Sequence, residues 1–475
     1  MSHHCVSEFT TTRRCLRRTN KDRQWWVLQR LLARGGNIVA MVVNISAMTV
    51  LLATATASKN SFTFQQKGQR EMDRRGDDGR LYPNILFIMT DQQRFDALRR
   101  AQDELEHYNG KTKIRTPNLD RLSREGVYFK TAYCQCSVCG PSRTSIRTGC
   151  TVERTGVQTN DLTENYDEYP FFRKKVEALR SLDHVLVEDY GYASEYYGKW
   201  HMPDVLYGYT GDDDEYSSDE FPSVIRYNTY DFLTDRFFFA DESDNKYLGH
   251  KDYLRRFQLA GKISNVSKSD LEPGQQFDTY TGAPYTPLGV DSRLGLPKGT
   301  PIDILPIDHD RIQPSLCGRY RLPEQFTPSS LTATVAGKAL RRLLAEQQTE
   351  INAKPFLLTV SFHNPHAPFI AADKHLQYYW KNRRNLLVPP SIADTMVNSA
   401  YEPISARLPR YRNATLVQEW TAVYYALVEE VDGHIGDLLQ HIETIGGQND
   451  QRETLVVFTV SDFSPPIQQQ DSQKV

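Results

Sequence analysis

Pro83-Asn84-Ile85-Leu86-Phe87-Ile88-Met89-Thr90-Asp91-Gln92 is continuously apolar from Ile85 to Met89 and closes on polar residues. A strand with no polar residue at alternate positions is covered on both faces, as in a parallel sheet. Pro355-Phe356-Leu357-Leu358-Thr359-Val360-Ser361 and Leu455-Val456-Val457-Phe458-Thr459 repeat the pattern, and segments that suit helices lie between, at Lys174 to Tyr190, Ser330 to Thr349 and Val417 to Ile445. Strands alternating with helices predict an α/β sandwich with parallel central strands. Reactive groups in such sheets gather outside the carboxyl ends of the strands. Asp91, His363 with His366, and Asp462 are therefore expected on one rim, although they are far apart in the chain.

The 475 residues, 39% hydrophobic and 24% charged, are enough for a large core. A net charge of -2, with no long basic stripe outside the N-terminus, argues against a nucleic-acid partner. Near the N-terminus Arg13, Arg14, Arg17, Arg18, Lys21, Arg23, Arg30 and Arg34 precede an apolar stretch from Ile38 to Ala57. That stretch ends in Ala55-Thr56-Ala57, a pattern suited to signal peptidase. Residues 1–57 are expected to be a signal peptide cleaved after Ala57, or an uncleaved signal anchor with its N-terminus in the cytoplasm. Either puts the rest of the chain in the secretory pathway: secreted, lysosomal or membrane-anchored on the lumenal side. Asn265-Val266-Ser267 and Asn413-Ala414-Thr415 are glycosylation sequons that agree with that compartment. Residues 58–82 are polar, without an apolar period, and read as a flexible linker. Residues 204–322, rich in Tyr, Asp, Gly and Pro, read as an irregular insertion on the substrate side, and Gly211-Asp212-Asp213-Asp214-Glu215 within it also suits a calcium-binding loop.

Cys139-Gly140-Pro141-Ser142-Arg143 is followed by Thr144-Ser145-Ile146-Arg147-Thr148-Gly149. Pro141 fixes its own φ, and Ser142 is expected to cap the helix that follows. Cys139 would then lie beside helix N–H groups and the Arg143 guanidinium, which stabilise an anion. The alternative is a disulfide or a buried thiol. Beyond the leader the chain carries Cys134, Cys136, Cys139, Cys150 and Cys317, and reserving Cys139 for chemistry leaves four that could pair.

Asp91 after a buried strand is a candidate ligand for a hard divalent cation, or else a helix cap. Gly198-Lys199-Trp200-His201 supplies cationic donors of the kind a transferring anionic group needs, or else surface charge. In Ser361-Phe362-His363-Asn364-Pro365-His366-Ala367-Pro368, His366 is a candidate general acid, because imidazole titrates near neutral pH; the alternative is a turn histidine held by the two prolines, the role expected of His363.

In this order, Cys-x-Pro-Ser-Arg with Thr-Gly, Gly-Lys-Trp-His and the His363–His366 block resemble the formylglycine-dependent sulfatases of the alkaline-phosphatase-like superfamily. The resemblance runs from Pro83 to Thr459 and is weakest in the insertion. It implies an alkaline-phosphatase-like α/β/α sandwich in which Cys139 is oxidised during secretion to formylglycine by a formylglycine-generating enzyme. The implied substrate is a sulfated small molecule or sulfated glycan, hydrolysed to an alcohol and inorganic sulfate through a sulfo-enzyme intermediate. One hydroxyl of the hydrated aldehyde attacks sulfur, His366 protonates the departing alcohol, and the second hydroxyl loses its proton so that the aldehyde re-forms and sulfate leaves. Arg143 would steady the diol, Lys199 and His201 would hold sulfate oxygens, and one calcium ion would be held by Asp91, Gln92, Cys139 and Asp462.

Two departures stand out. Asp91-Gln92 replaces the two adjacent acids of many sulfatases, as in members similar to choline sulfatase and in phosphonate monoester hydrolases, and leaves the site one negative charge poorer. The family continues after its last strand with Ser-Asp-His-Gly or Ser-Asp-Asn-Gly, a sulfate-binding lysine and a smaller C-terminal subdomain. This chain reads Thr459-Val460-Ser461-Asp462-Phe463-Ser464-Pro465, with Val460 as an extra residue. The expectation is a catalytic domain over 83–462, an aberrant tail over 463–475 and a missing C-terminal subdomain. Alternative readings are a phosphonate or phosphate ester hydrolase of the same superfamily, or an inactive truncated sulfatase-like protein.

Overall fold

The computed structural model describes residues 38–42, 81–160, 162, 169–203, 206, 317–320, 324–349, 353–366, 369–389, 413–446 and 452–461, with short strands between 230 and 304. Asp462, the tail, most of the linker and most of the insertion with its acidic run lie outside the described residues. The strands used below are β1 (Ile38–Val42), β2 (Asn84–Thr90), β3 (Val127–Tyr128), β4 (Ala193–Gly198), β5 (Ile302–Ile304), β6 (Cys317–Tyr320), β7 (Phe356–Ser361), β8 (Phe369–Ala372) and β9 (Thr454–Val460). The helices are α1 (Pro117–Glu125), α2 (Cys139–Thr148), α3 (Pro328–Thr349), α4 (Asp373–Lys381) and α5 (Ala414–Thr444).

Among the described residues the main sheet runs β3-β1-β9-β2-β7-β4, and all its pairings are parallel. The apolar strand β2 lies between β9 and β7, where both faces are covered, as its unbroken run of apolar residues requires. Successive side chains leave a strand on opposite faces. Leu86 and Ile88 accordingly join Leu358, Val360, Val456 and Phe458 in a core with Leu331 and Leu340 of α3 and Val431 and Ile435 of α5. Phe87 and Met89 point the other way, into a core with Ile146 of α2, Leu182 and Leu186. Each such fully buried side chain contributes about 1.5–3 kcal/mol. Helices on both faces of a parallel sheet make the expected α/β/α sandwich. A small sheet, β5-β6-β8, packs Cys317, Phe369 and Ala371 against Leu376 and Tyr379 of α4 and Trp420 of α5.

The helix starts follow local chemistry. Thr327 accepts a hydrogen bond from the Ser330 amide (3.2 Å) just before Pro328 opens α3, and Asn413 caps α5 through the Leu416 amide (3.2 Å). The helix expected from Lys174 to Tyr190 is broken into Pro170–Glu177, Leu182–His184 and a π-helical turn at Val185–Asp189. The reason is Ser181, whose side chain accepts from the His184 amide while the His184 ring accepts from the Ser181 amide, so a new helix begins there.

Contrary to the expectation from sequence, Ser142 does not cap α2. The helix starts at Cys139, placing Pro141 in the first turn, where its missing N–H is no loss, and Ser142 bonds through its own amide to the Val138 carbonyl (3.0 Å). Ile38–Val42, inside the stretch read as a targeting segment, lies in the sheet between β3 and β9; residues 43–57 lie outside the described residues. No helix among the described residues is long and apolar enough to cross a membrane.

Candidate active site

The carboxyl ends of β2, β4, β7 and β9 meet on one rim. The Asp91 amide faces the Asn364 carbonyl (3.5 Å), the Lys199 amide donates to Ser361 (2.9 Å) and the Ser461 amide to Thr90 (2.9 Å). Val460, one residue too many by the family pattern, is accommodated in the ladder opposite Thr90. The strand therefore stays in register through Val460 and delivers Ser461 to Asp91.

Asp91 is fully buried, and its carboxylate is the hub of the site. One oxygen accepts from Arg143 Nη2 (3.1 Å) and pairs with the Lys199 ammonium; the other accepts from the Ser461 hydroxyl (3.0 Å). Arg143 comes from the second turn of α2 and is itself fully buried, donating through Nη1 to Ser361 Oγ (2.8 Å) and to the Lys199 carbonyl (2.8 Å). Ser361 and Tyr196 also donate to that carbonyl, so three donors fix the backbone of Lys199. Burial by itself would lower the Lys199 ammonium; the charge of Asp91, with Cys139 as the next contributor, outweighs it and holds the group above its ordinary value.

Donor atoms of Asp91, Cys139 and His366 lie within 4.8 Å of one another, and this is the group of potential metal-holding residues among the described residues. Cys139 is buried at the N-terminus of α2 and His366 is half-buried. His363 and His366 sit in one turn, with ring centroids 4.7 Å apart and the His366 amide donating to the His363 carbonyl (3.0 Å). Asn364 between them is anchored to Ser329 at the start of α3 (2.8 Å).

Backbone strain concentrates at the same place. Among the described residues the non-glycine residues with positive φ are Gln92 (57°) and His201 (52°), both on the rim; such a conformation costs about 1–2 kcal/mol. Gly198 has φ 103°, and a Cβ there would meet the Ser361 carbonyl oxygen at 2.0 Å. Only glycine lets β4 approach β7 closely enough for Lys199 to reach Asp91.

Asp91, Cys139, Arg143, Lys199 and His366 are thus brought together. Gln92 is buried beside Asp91, and His201 lies two residues beyond Lys199 on the same rim segment. Of the four cysteines that could pair, Cys136, Cys150 and Cys317 carry free thiols. Ser361 and Ser461 stand in blocks legible in the sequence but without an expected role, and Tyr424, whose hydroxyl reaches the Gln92 turn, stands in none.

As a metal site the donor set fits a hard cation in part. Calcium takes oxygen donors, which Asp91 provides, whereas a thiol is a soft ligand and an imidazole suits transition metals. The set gains an oxygen if residue 139 carries one in place of sulfur.

A buried acid, a helix-borne cation and a histidine turn on the carboxyl rim of a parallel sheet are the arrangement that the resemblance to the alkaline-phosphatase-like superfamily implies. The sulfatase family pattern matches residues 83–474, and the chain belongs to the sulfatase family. It is similar to N-acetylglucosamine-6-O-sulfatase of Bacteroides thetaiotaomicron, with 30% identity over 164 residues, 34% of this chain and 24% of the relative. Human iduronate 2-sulfatase is 23% identical over 389 residues, 79% of this chain and 54% of the relative. Among solved structures, phosphonate monoester hydrolase of Agrobacterium radiobacter aligns over 80% of this chain and 62% of its own, with 18% identity and a TM-score of 0.43. The chain spans less than two thirds of the length of each of these proteins.

Proposed function

We propose that this chain hydrolyses sulfate esters to an alcohol and inorganic sulfate, with residue 139, as formylglycine, carrying the sulfate transiently. The observation that carries this reading is the convergence of Cys139, His366 and the buried Asp91 within 4.8 Å, with Arg143 and Lys199 on the same carboxylate. Two buried cations around one carboxylate leave the pocket in need of further negative charge, which a sulfate group supplies. Arg143 steadies the hydrated residue 139, Lys199 and His201 hold the anion, and His366 gives its proton to the departing alcohol oxygen. Asp91, with Gln92, Asp462 and the oxygen of a modified residue 139, would hold one calcium ion, whose chemistry when bound is to offset charge on the attacking oxygen.

The same reading includes passage through the secretory pathway, where a formylglycine-generating enzyme would act on Cys139. The basic leader supports it, as does the exposed position of Asn413 in its sequon. The substrate proposed is a sulfated small molecule or glycan, in keeping with the names of the similar proteins.

The test is turnover of an aryl sulfate and of an aryl phosphonate monoester by the purified chain and by Cys139→Ala, with the mass of the peptide carrying residue 139. Sulfate turnover lost in the variant, with a peptide that has exchanged its thiol for an aldehyde oxygen, supports the proposal. Preference for the phosphonate would reassign the substrate class, and an unmodified, inactive chain would overturn the enzymatic reading.

A further inference from the structure

The turn after β2 is held from outside by a residue that no motif marks. Tyr424, buried in α5 more than three hundred positions away, donates its hydroxyl proton to the Gln92 carbonyl (2.8 Å) and accepts from the Arg94 amide (2.7 Å). A phenol has one proton to give and lone pairs to receive, so this single group satisfies two backbone groups of Gln92-Gln93-Arg94 at once. Those groups would otherwise have to pair within the turn or with water. Gln92, between them and Asp91, is in the left-handed region that non-glycine residues avoid and that persists only where surroundings enforce it.

The rest of the turn is framed without touching Asp91. Arg94 forms a fork to Asp96 (2.8 and 2.7 Å), Tyr108 donates to the same carboxylate (2.8 Å), and the Gln93 side chain donates to the Ala97 carbonyl (3.2 Å). Tyr425, the neighbour of Tyr424, serves that frame by accepting from Gln102 (2.9 Å). The two adjacent tyrosines therefore divide the work: Tyr425 supports the outer frame, and Tyr424 grips the backbone that carries the rim carboxylate.

We propose that Tyr424 is a positioning residue, which acts through the Gln92 backbone to set where Asp91 and Gln92 present their side chains to the site. It touches no substrate in the proposed reaction. Its importance for metal binding rests on the metal-centre reading above; its hold on the turn does not.

The experiment compares Tyr424→Phe with Tyr425→Phe, each the loss of one buried hydroxyl, in the full chain. Two quantities are read: backbone amide exchange over residues 90–97 without added metal, and calcium affinity by titration calorimetry with the ion alone. Tyr424→Phe is expected to speed exchange in that segment and to weaken calcium binding about 10- to 100-fold, as loss of an outer partner of a metal ligand does. Tyr425→Phe is expected to lower thermal stability with calcium affinity kept. Unchanged exchange over 90–97 in Tyr424→Phe overturns the proposal, and so does equal weakening of calcium binding in both variants. If the unaltered chain takes up no calcium but exchange still rises only in Tyr424→Phe, the metal-centre reading falls and the positioning of the turn stands.

Discussion

The Asp91 carboxylate and the Lys199 ammonium form an ion pair in which the side chains are 0% and 7% exposed, and Arg143 donates to the same carboxylate oxygen. Removing the acid leaves two buried cations facing each other. Asp91→Asn is expected to lose about 3–5 kcal/mol of stability, the usual consequence of stripping one partner from a buried pair. Denaturant unfolding of the metal-free protein measures it, and an unchanged midpoint would refute the pairing.

Gly198→Ala should be among the most damaging single changes in the chain. Its Cβ meets a backbone oxygen, which has no rotamer by which to escape, at a φ that side chains avoid. A loss of at least about 3 kcal/mol is expected, with β4 and β7 forced apart at the rim. Calorimetry would read the loss; Gly149→Ala, where φ is 64° but the added carbon meets nothing within 4 Å, should cost only about 1 kcal/mol.

On the face of the sheet that α2 covers, Arg147 and Asp183 form a second buried pair, with Ser194 donating to the same carboxylate (2.7 Å) and Arg147 reaching Thr359 (3.1 Å). This pair ties α2, which carries Cys139, to the strands beneath it. Asp183→Ala is predicted to destabilise by about 3–5 kcal/mol. Because neither residue lies on the rim, activity per folded molecule should be kept; a fall in that quantity at low temperature would contradict the assignment.

His375 lies between Glu324 (2.8 Å) and Glu429 (3.1 Å). Burial opposes its charge, but the two carboxylates prevail and lift it to about 9, while its hydrogen bond takes Glu324 down to about 2. The folded histidine binds its proton more tightly than the unfolded one, so its stabilisation is complete below about pH 6.5 and is lost as pH rises through about 9. Glu324 works in the other sense: its contribution is complete above about 4.5 and lost as pH falls through about 2. His434, also raised to about 9, adds to the alkaline slope. Melting temperatures from about pH 5 to about pH 10 should fall above neutrality, and less steeply in His375→Gln.

The sheet was readable because strands buried on both faces have no alternative pattern: Asn84 to Met89 and Leu455 to Thr459 are found within a residue or two of the β2 and β9 ends. Asp91, Cys139, Arg143, Lys199 and His366 were readable because each stands in a short local motif. Tyr424 was not, since Ala422-Val423-Tyr424-Tyr425-Ala426 reads as plain core and its hydroxyl acquires meaning only when the Gln92 turn arrives beside it. The break near Ser181 was missed for a related reason: an apolar helical period continues across it, and a three-residue capping contact outweighs that period.

Order of synthesis gives the rim a history. Ser461 completes the setting of Asp91 and also accepts, through its carbonyl, from Ser142 on the Cys139 helix, yet Ser461 leaves the ribosome 370 residues after Asp91. Strand β2 emerges early and must wait unpaired on both sides until β7 and then β9 arrive. In the folded chain, with β9 bonded through Ser461 to the helix of Cys139, that thiol is 3% exposed. A reagent or enzyme that must reach this thiol therefore works against a clock that the last strand stops.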